Sequence, residues 1–227
     1  MTAPNASGKR LVLIHTVASL PTTFGALCDE LLPGVTVEHI VDESLLKETL
    51  SAGHLTDDVR GRFAKEAANA LATSPDLVVL TCSSVGPAAD DVGVERIDTA
   101  MAERAVELGS RIGLAATVPT TLGATSDLIE RAAQAIGKNV TIDARLAAGA
   151  FAALGAGRGE EHDRLVMDTL RGLATGNDVV VLAQASMARA LAGATTVDAA
   201  SRAVPVLTSP RLGVERLSRL LGLQPTT

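Results

Sequence analysis

Arg10-Leu11-Val12-Leu13-Ile14-His15-Thr16-Val17-Ala18-Ser19 and Arg111-Ile112-Gly113-Leu114-Ala115-Ala116-Thr117-Val118-Pro119-Thr120 carry Arg, Leu, Thr and Val at the same places, 101 residues apart. A second pair follows at 102: Leu71-Ala72-Thr73-Ser74-Pro75-Asp76-Leu77-Val78-Val79-Leu80 returns as Leu173-Ala174-Thr175-Gly176-Asn177-Asp178-Val179-Val180-Val181-Leu182. Between them, Val35-Thr36-Val37-Glu38 echoes Val140-Thr141-Ile142-Asp143 at an offset of 105. Three ordered matches at a nearly constant offset mark an internal duplication, and every other motif is read in its light.

Each copy opens on an apolar run of strand length. A helical stretch, a second strand, another helical stretch and a third apolar strand follow. Strands alternating with helices imply parallel sheets covered by helices on both faces. Leu55 to Thr73 and Glu160 to Thr175 have the clearest helical pattern; Val59, Phe63, Ala67, Ala70 and Leu71 recur at helical spacing behind a Thr56-Asp57-Asp58 start. Val92 to Ile97 and Val204 to Thr208 read as an extra strand closing each half, and Gly213 to Leu221 as a helix returning to the first lobe. The predicted division is residues 1–97 with 208–227 for the N-terminal lobe and 98–207 for the C-terminal lobe.

Composition narrows the partners. The 227 residues are 47% hydrophobic but include only three aromatics, Phe24, Phe63 and Phe151, so the core must be aliphatic. Single-stranded nucleic acid is bound by aromatic stacking and a positive groove, and a chain without Tyr or Trp at net charge −6 offers neither. Apolar runs fall far short of the roughly 20 residues of a membrane-spanning helix. Met1 to Gly8 is small and polar, without an apolar signal segment, and reads as a disordered leader, so a cytoplasmic location is expected. Cys28 and Cys82 are expected to be free thiols, and His15, His39, His54 and His162 lack metal-ligand spacing, so no metal is expected.

In open parallel α/β sheets, ligands bind beyond the carboxyl ends of the strands. Two similar lobes facing one another would thus bring their strand ends to one cleft. His15-Thr16 and Thr117 to Thr121 follow the first strands; Cys82-Ser83-Ser84 and Gln184-Ala185-Ser186 follow the third. A helix start near Ser83 or Ser84 would favour a Cys82 thiolate, although a thiol there can also be a small buried hydrophobe. Cys28 sits at helical spacing with Phe24, Leu31 and Leu32 and belongs to a core. The clusters Cys82-Ser83-Ser84 and Thr117-Val118-Pro119-Thr120-Thr121 suit a small carboxylate, while Ser and Thr are equally ordinary helix caps. His15 is either an acid–base group or a polar residue at the lip of the sheet. Asp42 and Glu43 are read as a cap, Asp90-Asp91 as a solvated face, and Arg145 and Arg211 as carboxylate partners or surface residues.

With the duplication and Cys82, the chain resembles the aspartate/glutamate racemase superfamily over nearly its whole length. Leu80-Thr81-Cys82-Ser83-Ser84 is similar to that family's first Cys-Asn-Thr-like motif, and Leu182-Ala183-Gln184-Ala185-Ser186 falls where its second Gly-Cys-Thr-like motif would be. Gln184 therefore stands at the second cysteine. The resemblance implies two pseudo-symmetric Rossmann-like lobes with the active site between them, no cofactor, and a homodimer, which the family often forms. It also implies Thr117, Pro119, Thr120 and Thr121 as a substrate-carboxylate loop. A two-base racemase removes a proton with one thiolate and returns it with another thiol; Gln184 can do neither. Three readings stand: a racemase or isomerase of a small carboxylic acid using Cys82, with Gln184 stabilising an enolate-like intermediate and His15 or water as second proton carrier; a decarboxylase or lyase; or a non-catalytic carboxylate binder. Thr16, Ser83, Ser84, Ala185 and Ser186 complete the expected binding residues.

Overall fold

The computed structural model describes residues 8–199 and 202–223, so the expected leader lies outside them apart from Gly8. Two units divide the chain, Met1–Ile97 with Pro210–Thr227 and Asp98–Ser209. The first holds β1 (Arg10–His15), α1 (Leu20–Leu31), β2 (Thr36–Val41), α2 (Glu43–Ala52), α3 (Asp57–Ala72), β3 (Leu77–Leu80), α4 (Gly86–Val92) and β4 (Glu95–Arg96). Its sheet is parallel, in the order β2-β1-β3-β4.

The second unit holds α5 (Thr99–Leu108), β5 (Arg111–Ala116), α6 (Pro119–Ala135), β6 (Thr141–Leu146), α7 (Ala150–Gly155) and α8 (Gly159–Ala174). It continues with β7 (Val179–Leu182), a 3₁₀ helix (Ala185–Leu191), β8 (Thr196–Ala199) and β9 (Arg202–Thr208). The order is β6-β5-β7-β9-β8, parallel except for the antiparallel β8. The fold class is therefore the mixed α/β one that the repeat implies, with two parallel-dominated sheets flanked by helices. β1 and β5, β3 and β7, and β2 and β6 stand in the registers that the three sequence matches give.

Central strands show why. Leu11, Val12, Leu13 and Ile14 of β1 are all at most 1% exposed, as expected of a strand covered on both faces. β2, at the sheet edge, carries no buried residue. Val59, Phe63, Ala67 and Ala70 of α3 turn one face inward, and Thr56 caps the helix by accepting from the Val59 N–H at 3.3 Å. Asp42 caps α2 as its sequence suggests, accepting from the Ser44 N–H at 2.8 Å. One core gathers Val12, Ile14, Leu45, Val59, Phe63 and Leu80; the other gathers Val166, Leu170, Leu173, Val180, Leu182 and Val204. Both are aliphatic apart from Phe63, and Phe151 remains 39% exposed.

The two units also start their sheets alike. Asp76, just before β3, accepts from the Arg10 N–H at 2.8 Å, and its own N–H bonds the Arg10 carbonyl. Asp178, just before β7, does the same with Arg111 at 2.9 Å and pairs with its guanidinium. Those bonds hold the Asp178 carboxyl down to about 2.

One strand was not foreseen, and the one expected over Val92 to Ile97 is shorter than its sequence suggested. A short β8 adds a hairpin to the closing strand of the second sheet, and β4 shrinks to two residues. Thr196-Val197-Asp198-Ala199 has a single large apolar residue and pairs on one side only, so little in its pattern announces a strand.

The last helix, α9 (Ser209–Leu220), is tied to the first unit by Arg211 to Glu30 at 2.7 Å and Arg216 to Glu95 at 2.9 Å. A Cβ on Gly213 would overlap the Ile97 carbonyl oxygen, a backbone atom with little freedom to yield. Gly213→Ala is expected to cost about 1–2 kcal/mol as overpacking. Gly61→Ala, in α3 with open space around its Cβ, should instead stabilise by about 0.5–1 kcal/mol. Urea unfolding of the pair checks both signs.

Candidate active site

The first unit gathers its candidate residues after β1 and β3, which pair directly as Ile14 with Leu80. Cys82 stands two residues past β3, partly exposed, and packs against the core that includes Val85, Ala88 and Ala89. Cys28 lies in α1 at 1% exposure, and burial aided by Asp29 pushes its thiol up to about 12. Of the two thiols, only Cys82 is placed to meet a ligand. Ser83 and Ser84 beside it are 6% and 4% exposed. The helix expected to start at these serines begins later: Ser83 to Val85 form a turn closed by the Gly86 N–H on the Ser83 carbonyl at 3.0 Å, and α4 starts at Gly86 with Pro87 in its first turn. Proline is pre-organised for that position, and it sets the start two to three residues beyond the serines.

His15 is not the open acid–base group its strand-end position suggested. The ring is 0% exposed, with Nδ1 2.8 Å from Thr81 Oγ1 and Nε2 2.8 Å from His39 Nδ1. Thr81 donates its hydroxyl proton to the Ile14 carbonyl at 3.1 Å, so it must accept from His15. The network thereby assigns the tautomers: His15 carries its proton on Nδ1, and His39 donates from its own Nδ1 to His15 Nε2. Burial, reinforced by His39, lowers the His15 pKa to about 4. At neutral pH the ring is uncharged, with both nitrogens committed inside the unit. Thr16, the next residue, is 2% exposed and its hydroxyl has no hydrogen-bond partner in the structure. A buried polar atom left in that state costs about 1–3 kcal/mol, which a ligand oxygen would offset.

In the second unit the residues after β5 and β7 come together in the same way. Gln184 follows β7, and its side-chain oxygen accepts from both the Thr117 N–H at 2.5 Å and the Thr117 hydroxyl at 3.0 Å. Thr117 is thus occupied by Gln184 and does not offer its protons to a carboxylate as the sequence pattern implied. Its repeat counterpart is Thr16, as Gln184 is the counterpart of Cys82. Pro119 opens α6 and has no N–H to give, while Thr121 is 0% exposed with its N–H on the Val118 carbonyl at 3.3 Å. Thr120, Ala185 and Ser186 are partly exposed.

Arg211 and Arg145 are engaged by carboxylates of their own units, Glu30 and Asp143. Asp90 is more than a solvated acid: it pairs at 2.9 Å with Arg96, which is 2% exposed and lies where a Cβ on Gly86 would have to go. Sequence reasoning passed over His39, Thr81 and Arg96. The two histidines were within reach of it, because pairing His15 with Val41 puts His39 on the same face of the sheet. Among the described residues, no group of three or more His, Cys, Asp or Glu side chains could hold a metal ion. No helix among them is long and apolar enough to cross a membrane.

Two sheets of like strand order, each with polar loops after its first and third strands, define a duplicated open α/β fold. Solved racemases and a cis-trans isomerase share that fold. The chain is similar to allantoin racemase from Klebsiella pneumoniae, with 17% identity, a TM-score of 0.67, and 96% of this chain and 91% of that one covered. It is likewise similar to Picrophilus torridus aspartate racemase, at 11% identity and TM-score 0.67 over 96% of both chains. A maleate cis-trans isomerase mutant from Nocardia farcinica, carrying a covalently bound succinylcysteine intermediate, matches at 17% identity and TM-score 0.53, covering 95% of this chain and 93% of that one. No protein-family model and no curated protein sequence matches the chain.

Proposed function

We propose that this protein is a cofactor-independent isomerase acting on a small carboxylic acid, with Cys82 as its reactive group. The carrying observation is the unequal pair at equivalent strand ends: a partly exposed thiol after β3 and a glutamine after β7 whose oxygen is already held. The fold shared with racemases and a cis-trans isomerase supports the class. In this reading Cys82 exchanges a proton with, or adds to, the carbon next to a carboxyl. Thr16, Ser83 and Ser84 in the first unit, and Thr120, Ala185 and Ser186 in the second, offer hydroxyls and main-chain amides suited to a carboxylate. Gln184, with no titrating group, stabilises negative charge on oxygen. Pro119 starts α6 on the substrate loop and gives the ligand no hydrogen bond.

His15 keeps its place in the scheme only as the support of Thr81, one residue before Cys82, because neither nitrogen has a proton to spare outward. Of Cys82, Gln184 and His15, that leaves Cys82 as the proton carrier. The same shortage favours a second reading, decarboxylation, in which a planar intermediate needs only one proton delivered to one face.

The test uses deuterated water and a panel of small acids that includes aspartate, glutamate, malate, maleate and methylmalonate. Exchange at the carbon next to the carboxyl, or cis-trans conversion, is the expected outcome; carbon dioxide release without exchange would move the assignment to the decarboxylase. If no acid in the panel reacts, the catalytic reading is lost. Iodoacetamide at pH 7.5 should modify Cys82 well before Cys28, whose thiol stays buried and protonated. Equal labelling, followed by mass spectrometry of peptides, would count against Cys82.

A further inference from the structure

The Thr117–Gln184 contact decides which way the glutamine faces. A side-chain amide has an acceptor end and a donor end, and only hydrogen bonding tells them apart. Here the partner is a backbone N–H, which can only donate, so the atom 2.5 Å away must be the Gln184 oxygen. The Thr117 hydroxyl donates to the same oxygen at 3.0 Å. Both lone pairs of that oxygen are taken, and the NH₂ end donates no hydrogen bond to the described residues. The backbone is pinned as well: the Ala183 N–H bonds the Ala115 carbonyl at 2.9 Å, and the Met187 N–H bonds the Gln184 carbonyl at 2.9 Å. Gln184 is partly exposed and stands at a strand end, where ligands of such sheets bind.

We propose that Gln184 is a preset oxyanion donor: its two N–H groups bind a carboxylate or enolate oxygen, and Thr117 is the positioning residue that fixes their orientation. This deepens the isomerase reading and rests on it for the identity of the substrate, though not for the binding chemistry. Donors held in place before charge develops are worth more than mobile ones, because no reorganisation is needed when the ligand arrives. Thr117 shields the acceptor end, which would repel an anion, and so excludes the flipped amide. The unit thereby acquires at β7 a fixed donor where a thiol would have supplied a proton.

The probe is oxalate, which is planar and carries oxygens on adjacent carbons as an enediolate does. Binding to the full chain is followed by calorimetry and by the ¹H–¹⁵N signals of the side-chain amides, with the Gln184 pair assigned from Gln184→Glu. Oxalate is expected to shift the Gln184 NH₂ signals. Thr117→Val removes the hydroxyl and keeps the N–H, so affinity should fall about three- to tenfold, the range of one neutral hydrogen bond. Thr117→Ser should return it to within about twofold. Gln184→Glu puts a carboxylate oxygen where the donors were and should weaken binding by about a hundredfold or more.

Oxalate that fails to bind overturns the proposal. So does binding that leaves the Gln184 signals unmoved, or a Thr117→Val protein that binds as the wild type does. Oxalate binding through Gln184 in a protein that transforms no carbon acid would keep this inference and remove the isomerase reading. Turnover without an oxalate effect at Gln184 would do the reverse.

Discussion

Cys82→Ser is expected to lower proton exchange at the carbon next to the carboxyl, or cis-trans conversion, by about a thousandfold or more. A positioned acid–base group contributes roughly 10²–10⁴ in rate, and a serine hydroxyl at neutral pH is far weaker both as a base and as a nucleophile. The substitution changes little volume at a partly exposed site, so folding stability should move by only about 0.5 kcal/mol. Cys28→Ser gives the contrast. It places a hydroxyl at a position 1% exposed among apolar neighbours, so it should cost stability and leave the rate per folded molecule unchanged. Rates in deuterated water together with urea unfolding separate the two, and a Cys82→Ser protein that retains its activity would remove the thiol from the mechanism. Gln184→Cys is the complementary change. It sets a thiol opposite the Thr117 N–H, a donor suited to a thiolate, and should raise racemisation of whichever carbon acid the wild type exchanges.

Acidification below pH 6.5 should destabilise the fold through the buried His15 ring. His15 takes up a proton near 6.5 in the unfolded chain but only near 4 in the folded one. The unfolded state thus gains the proton first, and the stability present above pH 6.5 is lost progressively as the pH falls towards 4. At 1.36 kcal/mol per unit, with allowance for screening through the exposed His39, the loss is about 2–3 kcal/mol. His15→Asn keeps a short N–H donor near Thr81 and removes the titration, so it should flatten this limb of the curve. Urea unfolding at pH 7.5, 5.5 and 4.5 reads the difference; parallel curves for the two proteins would show that the histidine pair does not govern it. Asp178 acts in a separate window, because its pKa is depressed to about 2 from 3.8 and its contribution disappears only as the pH falls through that range.

The strands were legible because burial on both faces leaves a continuous apolar run. Arg10–His15 and Arg111–Ala116 stand out by composition, and their common offset ties the two sheets together. The site was legible as a set of positions, since ligand loops follow strand ends, and the division of roles between Cys28 and Cys82 followed from helical spacing. What the individual side chains do there was less accessible. Thr117 reads as a ligand-binding threonine until its two protons are found on Gln184. His15 reads as an acid–base group until His39, 24 residues away in sequence, is found on its second nitrogen. Both depend on partners from another strand or loop, and hydrogen-bond direction has no signature in residue type or spacing.

Asp76 and Asp178 carry a different consequence. Each clamps the beginning of its third strand to the beginning of its first, at the end of the sheet away from the loops that bear the thiol and the glutamine. In both halves the same residue type does this with the same arginine neighbour. At the opposite end, equivalent positions hold cysteine in one half and glutamine in the other. Alignment of the strands is therefore decoupled from the chemistry at their tips. A duplicated sheet built this way can trade one reactive group for another without renegotiating its register, and its two halves are free to specialise while remaining the same scaffold.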